Sequence, residues 1–293
     1  MILLTGATGL NGRAIVQEFA RQKQPVMVLV RSMAKAFGAG LDNLADVKLV
    51  EADMRVPETL GAAFDGVDRV LMISSASTDM VETQCSFIDF CKRAGVRHVV
   101  KFSGAESGIG FDATKFRFTR MHEEIERYLT GSGLAWTNLR PSQFMQVYLR
   151  EAPTIVAQGA IYLPFEDIRL SPVDVEDIAK VTYRLLTGGG YEGENLDMTG
   201  PEALTMDDIA ARISHAVGRM VRYVKVSPEE RRHMLLANGI SADFADALDE
   251  QVAERLKRPE SRVHLKTHET FGVEPTTFLN FAERHAAVFR GSH

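Results

Sequence analysis

Short, strongly apolar runs alternate with amphipathic segments along the first half of the chain. Runs that are apolar throughout are typical of parallel strands covered on both faces, and the segments between them have helical periodicity. The predicted strands are Met1–Leu4, Val26–Val30, Val47–Asp53, Arg69–Ser74, His98–Phe102 and Ala135–Leu139. This alternation predicts an α/β fold with a doubly wound parallel sheet, in which a ligand lies across the carboxyl ends of the strands.

The second half of the chain has a less regular pattern. Thr205 and Ser227 each begin a sequence typical of a helix N-terminus, and Pro228 occupies a first helical position. The strand predicted near residue 195 should rejoin the main sheet. Outside the six strands, the predicted elements are a short helix over 57–64, a Gly-rich loop over 106–114, a helix over 143–158 interrupted at Pro153, a strand over 159–163, a helix over 173–186, a strand over 195–198, a strand over 221–226 and an amphipathic helix over 276–289.

The first predicted strand runs directly into a glycine-rich turn, Thr5-Gly6-Ala7-Thr8-Gly9-Leu10-Asn11-Gly12. Gly6 permits the tight turn, Gly9 lets the backbone approach a pyrophosphate, and Gly12 lets the following helix pack close to the sheet. The phosphates would lie at the helix N-terminus, where unpaired N–H groups favour anions. The turn therefore predicts a dinucleotide site. Its candidate residues are Gly6, Thr8, Gly9, Leu10, Asn11 and Gly12.

The end of the second strand distinguishes between the two nicotinamide cofactors. A carboxylate usually stands there when the ribose 2′-hydroxyl is recognised, but this chain has Arg31 followed by Ser32. A cation suits a 2′-phosphate, so we favour NADPH over NADH, although an arginine that is only solvated remains an alternative. The remaining cofactor candidates follow the third and fourth strands. They are Asp53 and Met54 beside the adenine, and Ser74 and Ser75 at a point where small residues let a cofactor pass.

Composition narrows the class of protein. The 293 residues are 45% hydrophobic and 25% charged, which is typical of a globular protein with a substantial core. The formal charge of −5 argues against nucleic-acid and anionic-membrane partners, and no apolar run could span a bilayer. Because the first strand begins at Met1, we expect no leader peptide and a cytoplasmic protein. Cys85 and Cys91 should be reduced thiols, and no metal site is expected.

Four segments together resemble the NmrA-like group of atypical short-chain dehydrogenases/reductases. They are Thr5–Gly12, Ser132–Met145 with its Leu139-Arg140-Pro141-Ser142-Gln143 core, Val173–Ala179 and Leu196–Pro201. The resemblance spans nearly the whole chain and implies a Rossmann-type fold that binds NADP(H). Within that group the chain is similar to bacterial NADPH-dependent reductases of triphenylmethane dyes, quinones and azo compounds. Its segment 271–278 also resembles relatives that reduce iminium intermediates.

The chain departs from the superfamily's Tyr-x-x-x-Lys motif, in which the tyrosine donates a proton. The resemblance places Phe118 at the tyrosine position and His122 at the lysine position. His122 could bind the ribose or relay a proton, or could be a packed histidine beside Glu126. Two further catalytic candidates are Ser103, which ends the fifth strand, and Lys115, which is expected on the same helix face as Phe118. Lys101, inside the fifth strand, is expected to point away from the ligand edge.

Two functions remain open on these observations. The first is an NADPH-dependent reductase that transfers hydride to a planar, electron-poor acceptor, because such an acceptor needs little acid assistance. The second is a non-catalytic NADP(H)-sensing regulator that acts through protein partners; sugar-nucleotide epimerisation is disfavoured by the missing motif. Residues 1–141 and 171–199 should form the NADP(H)-binding domain, and 142–170 and 200–293 the substrate-binding region, in a monomer or homodimer. The substrate candidates, each of which could instead fill core, are Phe144, Met145, Tyr148 and Phe165.

Overall fold

The computed structural model describes residues 1–104, 110–165 and 167–292. Residues 106–109 of the predicted Gly-rich loop therefore lie outside the described residues. Seven strands form one parallel sheet in the order β3-β2-β1-β4-β5-β6-β8, and two more form a small parallel sheet, β7-β9. The strands are β1 Ile2–Leu4, β2 Val26–Val30, β3 Val47–Glu51, β4 Arg69–Met72, β5 His98–Phe102, β6 Ala135–Pro141, β7 Ala160–Leu163, β8 Glu194–Met198 and β9 Arg222–Lys225. The predicted doubly wound α/β fold is confirmed.

Helices cover both faces of the main sheet and build a region beside its carboxyl edge. Short 3₁₀ segments occur at 41–43, 57–59, 61–64 and 145–151. The α-helices of the described residues are α1 Leu10–Arg21, α2 Met33–Gly38, α3 Met80–Arg93, α4 Arg117–Gly131, α5 Ala152–Gln158, α6 Val175–Gly188, α7 Met206–Val217, α8 Pro228–Ala237, α9 Ala242–Leu256, α10 Lys266–Thr270, α11 Phe278–Arg284 and α12 Ala286–Arg290.

Side chains along each central strand alternate between two apolar layers, as the two-residue period of a strand requires. Leu4 and Val28 pack with α1 and α6 on one face of the sheet. Leu3 and Met27 pack with α3 and α4 on the other face. Both layers are closely buried, which explains why the sequence of these strands is apolar throughout.

A third apolar cluster lies outside the main sheet. It is formed around α5, α7, α11 and α12 together with the small β7-β9 sheet. We call this region, with α8 and α9, the cover. Between its two sequence segments the chain returns to the main sheet as β8, which pairs in parallel with β6. The predicted return of the strand near residue 195 is thus confirmed.

Several predicted elements need correction. Pro153 does not interrupt a helix; a 3₁₀ segment ends at Glu151 and Pro153 occupies the first turn of α5, where its missing N–H is harmless. The segments 57–64 and 276–289 each divide into two short helical pieces. Thr205, in contrast, forms the predicted capping box, and Ser227 is the predicted N-cap and also forms a capping box. Among the described residues, no helix combines the length and apolar character needed to cross a bilayer.

Candidate active site

A cavity of about 610 Å³ extends along the carboxyl edge of the sheet and beneath the cover. That volume is ordinary for a small-molecule or cofactor site. One end is formed by the glycine turn and by the ends of β4 and β5. The other end is formed by aromatic and aliphatic side chains of α4, the 141–165 segment, α8 and α9. We call these the nucleotide end and the acceptor end.

The glycine turn has the close packing that its sequence predicts. Gly6 has φ +70°, and its carbonyl accepts a hydrogen bond of 3.0 Å from the Gly9 N–H. A Cβ on Gly12 would lie 2.2 Å from the Gly6 oxygen, so no larger residue fits there without moving backbone. Gly9 is the N-cap of α1 and supplies no side-chain cap, which leaves the helix N-terminus available for an anion.

Side chains beside the turn include an unsatisfied buried acceptor. Leu10 and Asn11 line the cavity, whereas Thr8 is exposed and is not among the lining residues. Asn11 Oδ1 is buried and has no hydrogen-bond partner among the described residues. Two residues that the sequence analysis missed share this property and this cavity: Gln84 on α3 through Oε1, and Thr119 on α4 through Oγ1. A polar residue within an otherwise apolar helix face was the available signal for Gln84.

These orphaned atoms test whether a dinucleotide fits the site. Leaving a buried donor or acceptor unpaired costs about 1–3 kcal/mol, so three such atoms on residues that line one cavity indicate a polar ligand. The uncapped helix N-terminus and the side-chain-free turn suit phosphate groups. The residues present therefore fit a nicotinamide dinucleotide.

The predicted 2′-phosphate region lies where β2 ends. Arg31 is exposed, and its Nη2 donates to Ser75 Oγ over 3.4 Å, which draws β2 and the segment after β4 together. The Ser32 hydroxyl is the N-cap of α2 and accepts from the Lys35 N–H. Ser74 lines the cavity, and its Oγ accepts from Gln84 Nε2 over 2.9 Å.

The two residues predicted beside the adenine are placed differently from one another. Asp53 forms a two-oxygen ion pair with Arg55, with Nη2 2.6 Å from Oδ2, and the Arg55 hydrogen bonds lower the pKa of that carboxyl. Met54 is instead buried in the apolar layer under α3, because the chain turns inward after β3. The Met54 side chain is thus turned away from the cavity, and the position of Asp53 and Met54 beside the adenine stays a prediction.

A charged residue that was expected to point away from the ligand edge lies against two residues that line the cavity. Lys101 is fully buried, and its Nζ lies 2.8 Å from His122 Nδ1 and 3.1 Å from Ser103 Oγ. The expectation for Lys101 is therefore wrong. It shares the strand face of Val99, which packs against α3 and α4, and His122 is carried by α4. A lysine in an otherwise apolar central strand was the signal, and strand parity gives its direction.

The buried group extends beyond this pair. Ser103 Oγ donates to Glu126 Oε1 over 2.6 Å, and Glu126 accepts two hydrogen bonds from Arg140 on β6, one of them 3.0 Å from Nε. Burial lowers the pKa of Lys101 to about 7, against the opposing effect of Glu126. Burial, with the Lys101 and Arg140 charges, lowers the pKa of His122 well below its usual value, so the imidazole is neutral.

Lys115 is not positioned as predicted. Helix α4 begins at Arg117, so Lys115 precedes it, in a turn where its N–H bonds the Asp112 carbonyl. Its side chain is exposed and is not among the residues that line the cavity. Ser103 and His122, in contrast, both line it.

The acceptor end has an aromatic wall. Phe118, at the position where the superfamily has tyrosine, lines the cavity with its ring centroid 5.6 Å from Phe116 and 6.2 Å from Phe244 of α9. Helix α9 is held against α4 by Arg117, whose Nη2 lies 2.7 Å from Glu250 Oε1. The sequence analysis missed the contribution of α9, because the weakly amphipathic pattern of this helix does not indicate which element it packs against.

The four predicted substrate residues divide into two groups. Phe144, Tyr148 and Phe165 line the cavity. Tyr148 is nevertheless almost fully buried, and burial raises the pKa of its hydroxyl. Met145 lies within the apolar cluster of the cover and is not among the lining residues, so it fills core.

Fold and cavity together define a Rossmann-type dinucleotide-binding protein whose cofactor edge opens into an apolar chamber. The chain belongs to the NmrA-like family, whose model matches residues 1–282. An NAD(P)H azoreductase of Xenophilus azovorans is 35% identical over 291 residues, which is 99% of either chain.

Two solved structures share the fold over nearly their full length. The first is the NADPH-dependent quinone oxidoreductase of Escherichia coli complexed with NADPH, with TM-score 0.84 and 24% identity, covering 97% of this chain and 99% of that one. The second is the Citrobacter sp. triphenylmethane reductase complexed with NADP(H), with TM-score 0.84 and 22% identity, covering 98% and 100%.

Proposed function

We propose that this protein is an NADPH-dependent reductase of planar, electron-poor acceptors such as azo compounds, quinones or triphenylmethane dyes. The observation that carries the proposal is that one continuous cavity joins the glycine turn to an aromatic chamber. A cofactor bound along the sheet edge would place its nicotinamide where the two ends meet, near Ser103 and His122. The relative that is 35% identical over almost the whole chain is named an NAD(P)H azoreductase, which supports both the cofactor and the acceptor class.

Main-chain groups would hold the pyrophosphate of the cofactor, and side chains would hold its other parts. The α1 N-terminus and Gly9 would receive the pyrophosphate, and Arg31 the 2′-phosphate. Asn11, Gln84 and Thr119 would satisfy their unpaired atoms with the ribose or nicotinamide amide. When bound, NADPH supplies a hydride.

The acceptor would be oriented by apolar contact. Phe118, Phe144, Phe165 and Phe244 offer flat surfaces against which a conjugated ring system can stack. Such acceptors are already electron-poor, so holding them beside the cofactor and excluding water supplies much of the rate enhancement. Imines and iminium ions belong to the same chemical class. A regulator needs no such chamber, and the reductase name of the 35% identical relative does not favour that alternative.

The test is NADPH oxidation, followed by absorbance, against azo dyes, quinones, triphenylmethane dyes and cyclic imines. We expect turnover with at least one class, and none in a Gly12→Val variant that cannot form the turn. Tight NADPH binding without turnover of any acceptor would instead support the regulator.

The domain division, the cellular location, the assembly state and the kind of partner complete the proposal. Residues 1–141 with 171–199 form the NADP(H)-binding domain, and 142–170 with 200–293 the substrate-binding region. The protein acts in the cytoplasm as a monomer or homodimer on a small aromatic or conjugated molecule, without a nucleic-acid or membrane partner. Light scattering of the purified protein measures its assembly state.

A further inference from the structure

We infer that His122 donates the proton that completes acceptor reduction. Lys101, which is buried behind His122, fixes the tautomer of the imidazole ring and supplies it with a new proton. The pair would replace the tyrosine that this chain lacks at Phe118. The inference rests on the proposed function, because it concerns the second half of the same reduction. Lys101 acts through His122 and is a positioning residue; His122 is the group that faces the acceptor.

The first argument is that each N–H group of the Lys101 ammonium already has a hydrogen-bond acceptor. Its three N–H groups have three acceptors: His122 Nδ1 at 2.8 Å, Ser103 Oγ at 3.1 Å and the Phe102 carbonyl at 3.4 Å. Lys101 is fully buried, whereas His122 is partly open and lines the cavity. The lysine therefore cannot reach an acceptor directly, and the imidazole stands between the two.

The second argument is the tautomer of His122. When Lys101 is charged, Nδ1 must accept its hydrogen bond, so the neutral ring carries its proton on Nε2. The structure records no hydrogen-bond partner for Nε2 among the described residues, and the ring borders the cavity. An N–H is thereby directed to the place where a reduced acceptor needs one.

The third argument is the charge balance around the pair. The groups that face it are Glu126 from α4, Arg140 from β6 and the Cys85 thiol from α3. The Glu126 and Arg140 charges compensate each other through their ion pair. Burial then lowers the pKa of Lys101 to about 7, so the lysine can both give and regain a proton near neutrality.

The chemical step balances as follows for an azo acceptor. Hydride adds to one nitrogen, the N=N π bond breaks, and the electron pair remains on the other nitrogen. That nitrogen takes the Nε2 proton of His122 while Nδ1 takes a proton from Lys101, giving the hydrazo product, NADP⁺ and neutral Lys101. Solvent water then returns a proton to Nε2 and is left as hydroxide, and Nδ1 returns its own proton to the lysine. A quinone accepts hydride and proton in the same way and gives the hydroquinone.

A cationic triphenylmethane dye supplies a matched control, since hydride alone neutralises it and no proton is required. For His122→Phe we expect kcat on azo or quinone acceptors to fall at least about 100-fold more than kcat on the dye, as befits loss of a general acid. His122→Gln, which retains an N–H for hydrogen bonding but no proton that it can release near neutral pH, should show nearly the same loss as His122→Phe. Equal losses on both acceptor types would mean a purely structural or cofactor-binding role and would overturn the inference, as would no loss on either.

The second experiment uses Lys101→Met, which keeps the length of the side chain without its charge. In the unsubstituted protein, kcat/KM for a proton-requiring acceptor should fall as pH rises through about 7, and Lys101→Met should lack that inflection. Independently of activity, nitrogen NMR should find His122 neutral with the proton on Nε2 at pH 7. A proton on Nδ1, or an unchanged pH profile in Lys101→Met, would overturn the inference.

Failure of the inference differs from failure of the proposed function. If none of the tested acceptors supports NADPH oxidation by the unsubstituted protein, the reductase proposal fails and the inference fails with it. If it reduces only the cationic dye, the reductase stands and the proton donor has no role. If it reduces only azo compounds or quinones, the pH profile and the NMR tautomer decide. NADPH dissociation constants, measured for every variant, show that each one folds with an intact cofactor site.

Discussion

The nucleotide end of the cavity is shaped mainly by main chain, whereas the acceptor end is shaped by side chains. The nucleotide end uses eight consecutive residues, 5–12, and its geometry depends on main chain and on the absence of side chains at Gly6 and Gly12. The acceptor end uses side chains brought from α4, the 141–165 segment, α8 and α9. The first is therefore intolerant of added atoms, whereas the second can exchange side chains while the fold persists.

Charge is also placed differently along the cavity. At the nucleotide end the cation Arg31 is exposed and makes a 3.4 Å hydrogen bond to Ser75 Oγ. Where the two ends meet, Lys101, Glu126 and Arg140 are enclosed, with fixed hydrogen bonds. Exposed charge suits capture of an anionic cofactor, and enclosed charge suits control of protonation.

The largest effect should come from adding a side chain to the turn. Gly12→Val would force its Cβ against the Gly6 carbonyl, and we expect NADPH affinity to fall by more than about 100-fold, or roughly 3 kcal/mol. Fluorescence titration with NADPH measures this. Gly38→Ala is the matched control, because nothing lies within 4 Å of its Cβ position. Retained affinity in Gly12→Val would refute the main-chain character of this end.

Removing the exposed cation should change cofactor choice rather than abolish binding. For Arg31→Ala we expect the preference for NADPH over NADH to fall by about 10- to 50-fold, since a charge-assisted contact to phosphate is lost. Arg127→Ala, an exposed arginine on the outer surface of α4, should leave the preference unchanged. Equal weakening of both cofactors by Arg31→Ala would contradict the 2′-phosphate assignment.

At the acceptor end a truncation should be milder. Phe244→Ala removes part of the aromatic wall, and we expect KM for the acceptor to rise about 10-fold while NADPH affinity is retained. Leu256→Ala on the same helix, exposed and outside the cavity lining, is the control. Steady-state kinetics with each substrate varied in turn separate the two effects. A loss of NADPH affinity in Phe244→Ala would show that the two ends are not separable.

A last effect concerns stability and pH. The folded pKa of Lys101 is about 7, below its unfolded value, so the unfolded chain binds the extra proton between those values. The free energy of unfolding should therefore gain a positive contribution as pH rises from about 7 toward 10, with a slope of about 1 kcal/mol per pH unit. Lys101→Met should lack that contribution and Arg31→Ala should keep it, as urea unfolding at several pH values will measure.

The geometry of the glycine turn could be predicted from the sequence because the information is local. Gly6, Gly9 and Gly12 are adjacent in the chain, and Arg31 ends the next strand, so spacing alone brings them together. The acceptor end could not be predicted in the same way. Phe244 reaches the cavity only because Arg117 holds α9 against α4, a contact between residues 133 positions apart. Whether Met54 and Met145 would face a ligand or the core could not be predicted, because an apolar side chain does not indicate which surface it will pack against.

The return of the chain to the sheet as β8 has an evolutionary consequence. The cover is not a terminal appendage; it is encoded in two pieces separated by a strand of the sheet. A breakpoint between the two pieces would leave half of a foreign apolar cluster facing half of a native one, and a breakpoint before the first piece would transfer α6 and β8 as well, so that a foreign β8 would have to pair with the native β6. New acceptor preferences in this lineage are therefore expected to accumulate by individual substitutions along the cavity, while the glycine turn is inherited unchanged.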